Sequence, residues 1–420
     1  MDNQRIVVNI SLIRERVQDE GEGVGMLTTL RDARAVSCGG KATALAVLAR
    51  EGLPVPDGFV IPFAAHRIAR SEADLPVNHE LRDALTRHLA RMGDPPVAVR
   101  SSAANEDTAG GSAAGRYESV LAVRGVPAVA EAVRTCWASS SSARVAGYGN
   151  HVHGDATDGG PDMAVLVQRL VDADVSGVMF NPACPEGRAR IEASWGLGPS
   201  VAGGTVTPDT YEIATDGGLR RIVARKTTRW DRDSCGVIVR DVPEKQQTLP
   251  ALDAATAAAL AGFGRRIADV FGQPQDIEWA IEDGKVWILQ ARPITAPTPS
   301  LAPKILASGD EPLIGTAGSH GTVSGIARVL RGPSDFPRVQ PGDIAICEYT
   351  DPAWTPLFRH AAALVTETGG VLSHAAIVAR EHGIPAVLGV LQATTRIQDG
   401  IRITVNGTDG TVIISPGTSP

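Results

Sequence analysis

The sequence predicts an α/β (α+β) chain of two units, a larger one over residues 1–295 and a smaller one over 316–420. Three observations predict it. Short apolar runs alternate with helix-period stretches along most of the chain, the pattern of a mixed architecture. Ala296-Pro297-Thr298-Pro299-Ser300-Leu301-Ala302-Pro303 is a Pro-rich, semi-rigid segment, so 296–315 reads as the linker between the units. Beyond it, Ala361 to Val365 reads as a buried strand, Gly369-Gly370 as a turn, and Ser373-His374 as the start of an apolar-periodic helix that stops at Gly383.

Composition bounds the function. The 420 residues are 43% apolar and 21% charged, ample for two or three ordinary globular domains. A net charge of −7 and a pI near 5.8 argue against nucleic-acid partners and against a polybasic membrane face. No apolar run is long enough to cross a membrane, and Met1-Asp2-Asn3-Gln4 does not open a signal peptide. The five cysteines (Cys38, Cys136, Cys184, Cys235, Cys347) are scattered without a C-x-x-C pair, which fits reduced thiols in a cytoplasmic protein.

The elements follow in order. Residues 1 to about 30 are weakly patterned; after Ser37-Cys38-Gly39-Gly40-Lys41 a helix runs from Ala42 to Arg50, and Phe59-Val60-Ile61 is a strand. Asn78 to Met92 is helical, Val97 to Arg100 a strand, and Ser101 to Gly115 a mobile Ser/Gly-rich loop. Tyr117 to Val123 is strand-like and Pro127 to Gly147 a helix; His151 and His153 sit in a polar loop with no third metal ligand nearby. Strands are expected at Met163–Leu170, Ser176–Phe180, Ile191–Ser194 and Arg221–Lys226, and an Ala-rich helix at 253–271. A hairpin around Asp283-Gly284 closes the larger unit. The smaller unit carries strands near 343–347, 361–365 and 411–414.

Four stretches carry chemistry. His374 falls in a first helical turn, where unpaired N–H groups and the dipole favour negative charge. That suits an imidazole that receives a phosphoryl group, and it equally suits a structural histidine at a helix cap. Gly39-Gly40-Lys41 offers backbone N–H groups and an ammonium to phosphate oxygens, without being a Walker A loop. Arg100 ends a strand pointing into the Ser/Gly loop, where Gly110 to Gly115 can close over phosphates. In the hairpin, a two-residue turn sets Glu278 opposite Leu289. A three-residue loop over Asp283 to Lys285 with a bulge instead pairs Glu278 with Gln290 and brings Arg292 to the same face, with Trp279, Trp287 and Leu289 on the other. The second register gathers oxygens suited to Mg²⁺ and an arginine suited to a phosphoryl group. The alternative is a half-buried hairpin with a polar outer face.

With these motifs in order, the sequence resembles the phosphoenolpyruvate synthase and pyruvate phosphate dikinase family, which includes the rifampicin phosphotransferases. The segments that carry the likeness are Gly39-Gly40-Lys41, Gly52-Leu53-Pro54-Val55-Pro56 with Gly58-Phe59, and Val99-Arg100-Ser101-Ser102-Ala103 with Glu106-Asp107. They continue through Val167-Gln168, Val171, Ser176 to Phe180, Trp195-Gly196-Leu197-Gly198 and Thr207-Pro208-Asp209. Asp276 to Trp279, Leu289 to Pro293, Gly369-Gly370, Ser373 to Glu381 and Gly383 to Val387 complete them.

The resemblance implies an ATP-grasp nucleotide-binding domain followed by a small swivelling β/β/α phosphohistidine domain. It implies that Lys41 and Arg100 bind ATP phosphates, Gln168 to Val171 line the adenine pocket, Glu278 and Gln290 hold Mg²⁺, and Arg292 stabilises the phosphoryl group. His374 would attack the β-phosphate of ATP, whose γ-phosphate leaves as phosphate, with AMP as the other product. Two departures stand out: Pro199 replaces the usual Glu after Gly-Leu-Gly, and Ser319-His320 replaces the usual Ser-Pro. The acceptor domain of the synthases or of the rifampicin enzymes has no counterpart here. The phosphoryl group is therefore expected to pass to a small-molecule acceptor (a specialised metabolite or an antibiotic), or to one bound by a separate subunit. A ligase-like condensation and a non-catalytic regulatory subunit are the competing readings.

Overall fold

The computed structural model describes residues 26–71, 77–104, 106, 118–140, 161–181, 187–295 and 312–415. The linker segment at 296–303, the Gly110 to Gly115 stretch, and His151 and His153 lie outside the described residues.

The first layer is a five-stranded antiparallel sheet in the order Thr28–Thr29, Gly58–Ile61, Met163–Arg169, Val97–Ala103, Ser119–Val123. Strand Met163–Arg169 shows why the sheet is covered on both faces. Met163, Val165 and Val167 pack with helices His79–Arg91 and Val126–Ser139, whereas Ala164 and Leu166 pack with helix Ala35–Arg50. That is the period-2 alternation of a strand with apolar layers on either side. Strand Val97–Ala103 runs three residues further than expected: Ser101 and Ser102 are buried strand residues, not the start of a mobile loop.

The second sheet has six strands in the order Lys285–Pro293, Gln275–Glu282, Val175–Asn181, Ala189–Trp195, Asp209–Ile213, Leu219–Ile222, all antiparallel. Helix Ala254–Phe271, capped by Asp253 Oδ1 accepting from Thr256 N at 2.7 Å, packs on one face. The last strand ends at Ile222, short of the expected Lys226. A separate two-stranded hairpin, Thr228–Asp233 with Gly236–Asp241, was not expected and bridges to the sheet through Gly196 and Trp230.

The smaller unit is an eight-stranded mixed sheet. Its centre, Thr322–Val329, Ile344–Cys347, Ala363–Thr366 and Ala386–Leu388, is parallel. Ile344–Cys347 and Ala363–Thr366 are buried at every residue, which explains why they read as unbroken apolar runs. Helix His374–His382 begins after Ser373 and ends at Gly383, which takes the left-handed conformation with φ 66°. Among the described residues, no helix is long and apolar enough to cross a membrane.

Candidate active site

Lys41 is placed by a break in its helix. Gly39 has φ 75°, and a Cβ there would lie 2.2 Å from the carbonyl oxygen of Ser102, so the glycine lets the chain turn against strand Val97–Ala103. The Ser102 hydroxyl spans the break, donating to Cys38 O at 2.7 Å and accepting from Ala42 N at 3.1 Å. Lys41 then reaches Glu106 Oε1 at 2.8 Å and Ser101 O at 2.9 Å, while Glu106 Oε2 accepts from Ala103 N at 3.0 Å. The ammonium is thus buried with a carboxylate of its own.

The hairpin Gln275–Glu282 with Lys285–Pro293 corrects the expected register in detail. Its tip is a two-residue turn, Asp283 at φ 52° and Gly284 at φ 74°, with Glu282 opposite Lys285. The bulge lies instead at Leu289, between the pairs Trp279–Ile288 and Glu278–Gln290. One extra residue there flips the parity of the strand. Gln290 and Arg292 therefore join Glu278 and Asp276 on one face, while Ile277, Trp279, Ile288 and Ala291 enter the core on the other. Trp287 and Leu289 do not share that core. Trp287 packs beside Ala280 on the cavity side, under the Arg169 guanidinium and the Lys285 ammonium. Leu289, the bulge residue, faces the cavity too.

Arg100, across the sheet gap, ties the two strands together. Its Nη2 donates to Glu278 Oε2 at 3.0 Å and Gln290 Oε1 at 2.6 Å, and its Nη1 to Leu289 O at 2.7 Å. Arg292 pairs with Asp276 at 2.8 Å. Asp276 is buried; loss of hydration raises its carboxyl above the usual range against the pull of Arg292, and its Oδ1 has no partner among the described residues. Among the described residues, no three His, Cys, Asp or Glu side chains form a self-sufficient metal cage. Mg²⁺ needs none, since one or two protein oxygens plus substrate phosphates suffice. The oxygens of Glu278 and Gln290, which meet at Arg100 Nη2, fit that cation.

Gln168 is buried and pinned by its amide nitrogen donating to Pro56 O at 3.0 Å. Val171 joins Ala173, Leu197 and Ala280 in a small apolar cluster against Trp230 and Val237 of the separate hairpin. Pro199 starts the short helix Pro199–Ala202 and presents no polar group where a Glu was expected.

His374 comes from the other unit. It is 6% exposed, its Nδ1 lies 3.3 Å from Thr350 Oγ1, and its Nε2 has no partner among the described residues. Burial, reinforced by the nearby Arg292 charge, pushes its pKa down to about 4, so the ring is neutral at pH 7. The loop before it is docked on the six-stranded sheet. Glu192, fully buried in strand Ala189–Trp195, accepts from Val371 N at 2.7 Å and Leu372 N at 3.1 Å. Thr368 Oγ1 donates to Gly204 O at 2.7 Å and Gly369 N to Val206 O at 3.2 Å, and Val371, Leu372 and Ile377 pack on Val178, Phe180 and Val201. A Cβ on Gly370 would meet Glu192 Oε2 at 2.2 Å, so only glycine fits. Burial raises the Glu192 pKa to about 6, opposed by the two N–H bonds and Arg190.

All eight residues singled out from the sequence, Lys41, Arg100, Gln168, Val171, Glu278, Gln290, Arg292 and His374, face one cavity of about 760 Å³. Four others were missed. Asp276 could have been found, standing two residues from Glu278 on the same strand face. Glu106 lies in a motif already quoted, and Glu192 is a lone acid in an apolar run; Thr350 carries no local signal.

Two family models match the chain: pyruvate phosphate dikinase, AMP/ATP-binding domain, over residues 64–308, and PEP-utilising enzyme, mobile domain, over 339–410. A probable phosphoenolpyruvate synthase of Methanothermobacter thermautotrophicus is 35% identical over 417 residues, covering 89% of this chain and 61% of that protein. The phosphoenolpyruvate synthase of Escherichia coli is 34% identical over 363 residues, covering 80% of this chain and 46% of that protein. That of Deinococcus radiodurans is 36% identical over 361 residues, covering 81% and 46%. The chain thus spans between 46% and 61% of these relatives' length, an ATP-grasp nucleotide-binding domain joined to the mobile domain. On these matches the chain belongs to the phosphoenolpyruvate synthase and pyruvate phosphate dikinase family.

Proposed function

We propose that this chain is an ATP-dependent phosphotransferase in which His374 carries the β-phosphoryl group of ATP. One observation supports this most: His374 Nε2 is buried, neutral and without a partner among the described residues, on the wall of the cavity that holds Lys41, Arg100 and Arg292. A proton on Nδ1, donated to Thr350 Oγ1, leaves the Nε2 lone pair free to attack. Attack on Pβ breaks the bridge to Pα and releases AMP. One water then splits the Pβ–Pγ link, releasing phosphate and leaving the β-phosphoryl on Nε2.

Lys41 and Arg100 bind the phosphates, Arg292 stabilises the phosphoryl group in flight, and Gln168 with Val171 bounds the adenine pocket. Glu278 and Gln290 would hold Mg²⁺, which when bound would neutralise charge on the phosphate oxygens. The domain boundary falls in 296–315, and motion about it carries the phosphohistidine to its acceptor. The relatives' names, phosphoenolpyruvate synthase, support a small-molecule acceptor, bound by this chain or by a separate subunit. The four free cysteines among the described residues fit a cytoplasmic setting.

Incubation with ATP carrying ³²P at the β position tests the reading. The expected result is an acid-labile, base-stable label on the chain that is absent from His374→Ala, with AMP formed alongside. A label that persists in His374→Ala overturns it.

A further inference from the structure

Each cation on the phosphate side of the cavity has a carboxylate. Lys41 lies 2.8 Å from Glu106, Arg292 2.8 Å from Asp276, and Arg100 3.0 Å from Glu278. The third pair differs from the others. A single nitrogen of Arg100, Nη2, donates to both oxygens proposed as metal ligands, Glu278 Oε2 and Gln290 Oε1 at 2.6 Å. Its other terminal nitrogen is anchored on the bulge carbonyl of Leu289 at 2.7 Å, and the side chain is only 12% exposed. A guanidinium and a dication cannot share those two oxygens, because they would repel at contact distance.

We propose that Arg100 bars a divalent cation from Glu278 and Gln290 until a triphosphate offers its guanidinium other acceptors, so that metal and nucleotide enter together. The inference rests on the reading of the cavity as a Mg²⁺–nucleotide site. A triphosphate is the natural exchange partner: its oxygens accept the planar guanidinium fork as well as a carboxylate does, and carry more charge. Once Arg100 turns to phosphate, the Glu278 carboxylate oxygen and the Gln290 carbonyl lone pairs are freed for the metal. Linkage makes the coupling reciprocal, so the metal raises nucleotide affinity by the same factor.

The test is Mn²⁺ binding to the full chain without nucleotide, followed by electron paramagnetic resonance. Wild type should bind Mn²⁺ weakly, and Arg100→Gln at least about tenfold more tightly, within the usual range of coupling between sites. Adding Glu278→Gln to that variant should abolish the gain. Arg100→Lys, which keeps a charge but cannot reach three acceptors, should show a smaller gain and serves if the Gln variant fails to fold. Equal Mn²⁺ affinity in wild type and both Arg100 variants overturns the proposal, as does a gain that survives Glu278→Gln. No phosphoryl transfer enters the measurement, so a chain that fails to label His374 but shows the Mn²⁺ effect overturns only the proposed function.

Discussion

At His374 the two ring nitrogens have different surroundings, and the difference decides which one reacts. Nδ1 is 3.3 Å from the buried Thr350 hydroxyl, and Nε2 has no partner among the described residues. Thr350→Val keeps the shape and removes the acceptor, leaving a buried N–H unsatisfied in the reactive tautomer at a cost of about 1–3 kcal/mol. We expect β-³²P labelling to slow roughly tenfold while nucleotide affinity is unchanged, because only orientation of the ring is lost. The lowered pKa makes a second prediction. With the folded pKa near 4 and the unfolded one near 6.5, the unfolded chain takes up a proton first as pH falls. Stability from this group is therefore intact above 6.5 and is lost between 6.5 and 4, by about 3 kcal/mol at most. Urea titrations should show a steeper slope over that window in wild type than in His374→Asn, where His66, also lowered to about 4 by burial, still contributes. The labelling rate should show no histidine titration between about pH 6 and 9.

At the scale of the element, the site depends on two local irregularities, one legible in the sequence and one not. Gly39-Gly40 before Lys41 announces a turn at a helix start, and the structure uses Gly39 for it at φ 75°. Gly39→Ala combines left-handed strain with a Cβ 2.2 Å from Ser102 O, so it should cost at least about 2 kcal/mol, read as a lower urea midpoint at unchanged slope. The Leu289 bulge is the opposite case. Asp283-Gly284 correctly marks the tip, but nothing near Leu289 distinguishes a bulged strand from a regular one. The extra residue is accommodated by contacts from elsewhere in the chain, above all Arg100 on the Leu289 carbonyl, 189 positions away. Strand propensity and alternation therefore locate the hairpin and leave the facing of Gln290 and Arg292 open between two registers.

Across the whole molecule, the larger question is what sets His374 against the nucleotide cavity when the two come from separate sheets. The loop Gly369 to Leu372 carries no polar side chain, so beside the packing of Val371 and Leu372 its hydrogen bonds to the sheet are made by its backbone. Glu192 accepts two of its N–H groups over a separation of about 180 residues, a tertiary pairing that no periodicity in either segment reveals. The carboxylate suits the task because both its oxygens accept. An amide in its place turns one acceptor into a donor facing an N–H, and a methyl on Gly370 fills the space the carboxylate occupies. Neither residue is among those that bind the phosphates in the reading above. Glu192→Gln and Gly370→Ala should thus leave nucleotide affinity within about twofold of wild type while slowing β-³²P labelling of His374 at least about tenfold, as expected when about 1–3 kcal/mol of buried pairing is lost from the docked arrangement alone. Parallel loss of nucleotide affinity and labelling would mean that Glu192 shapes the cavity itself. Loss of labelling alone would mean that reaction rate is governed by how often the mobile unit is seated, which is the behaviour a carrier histidine requires.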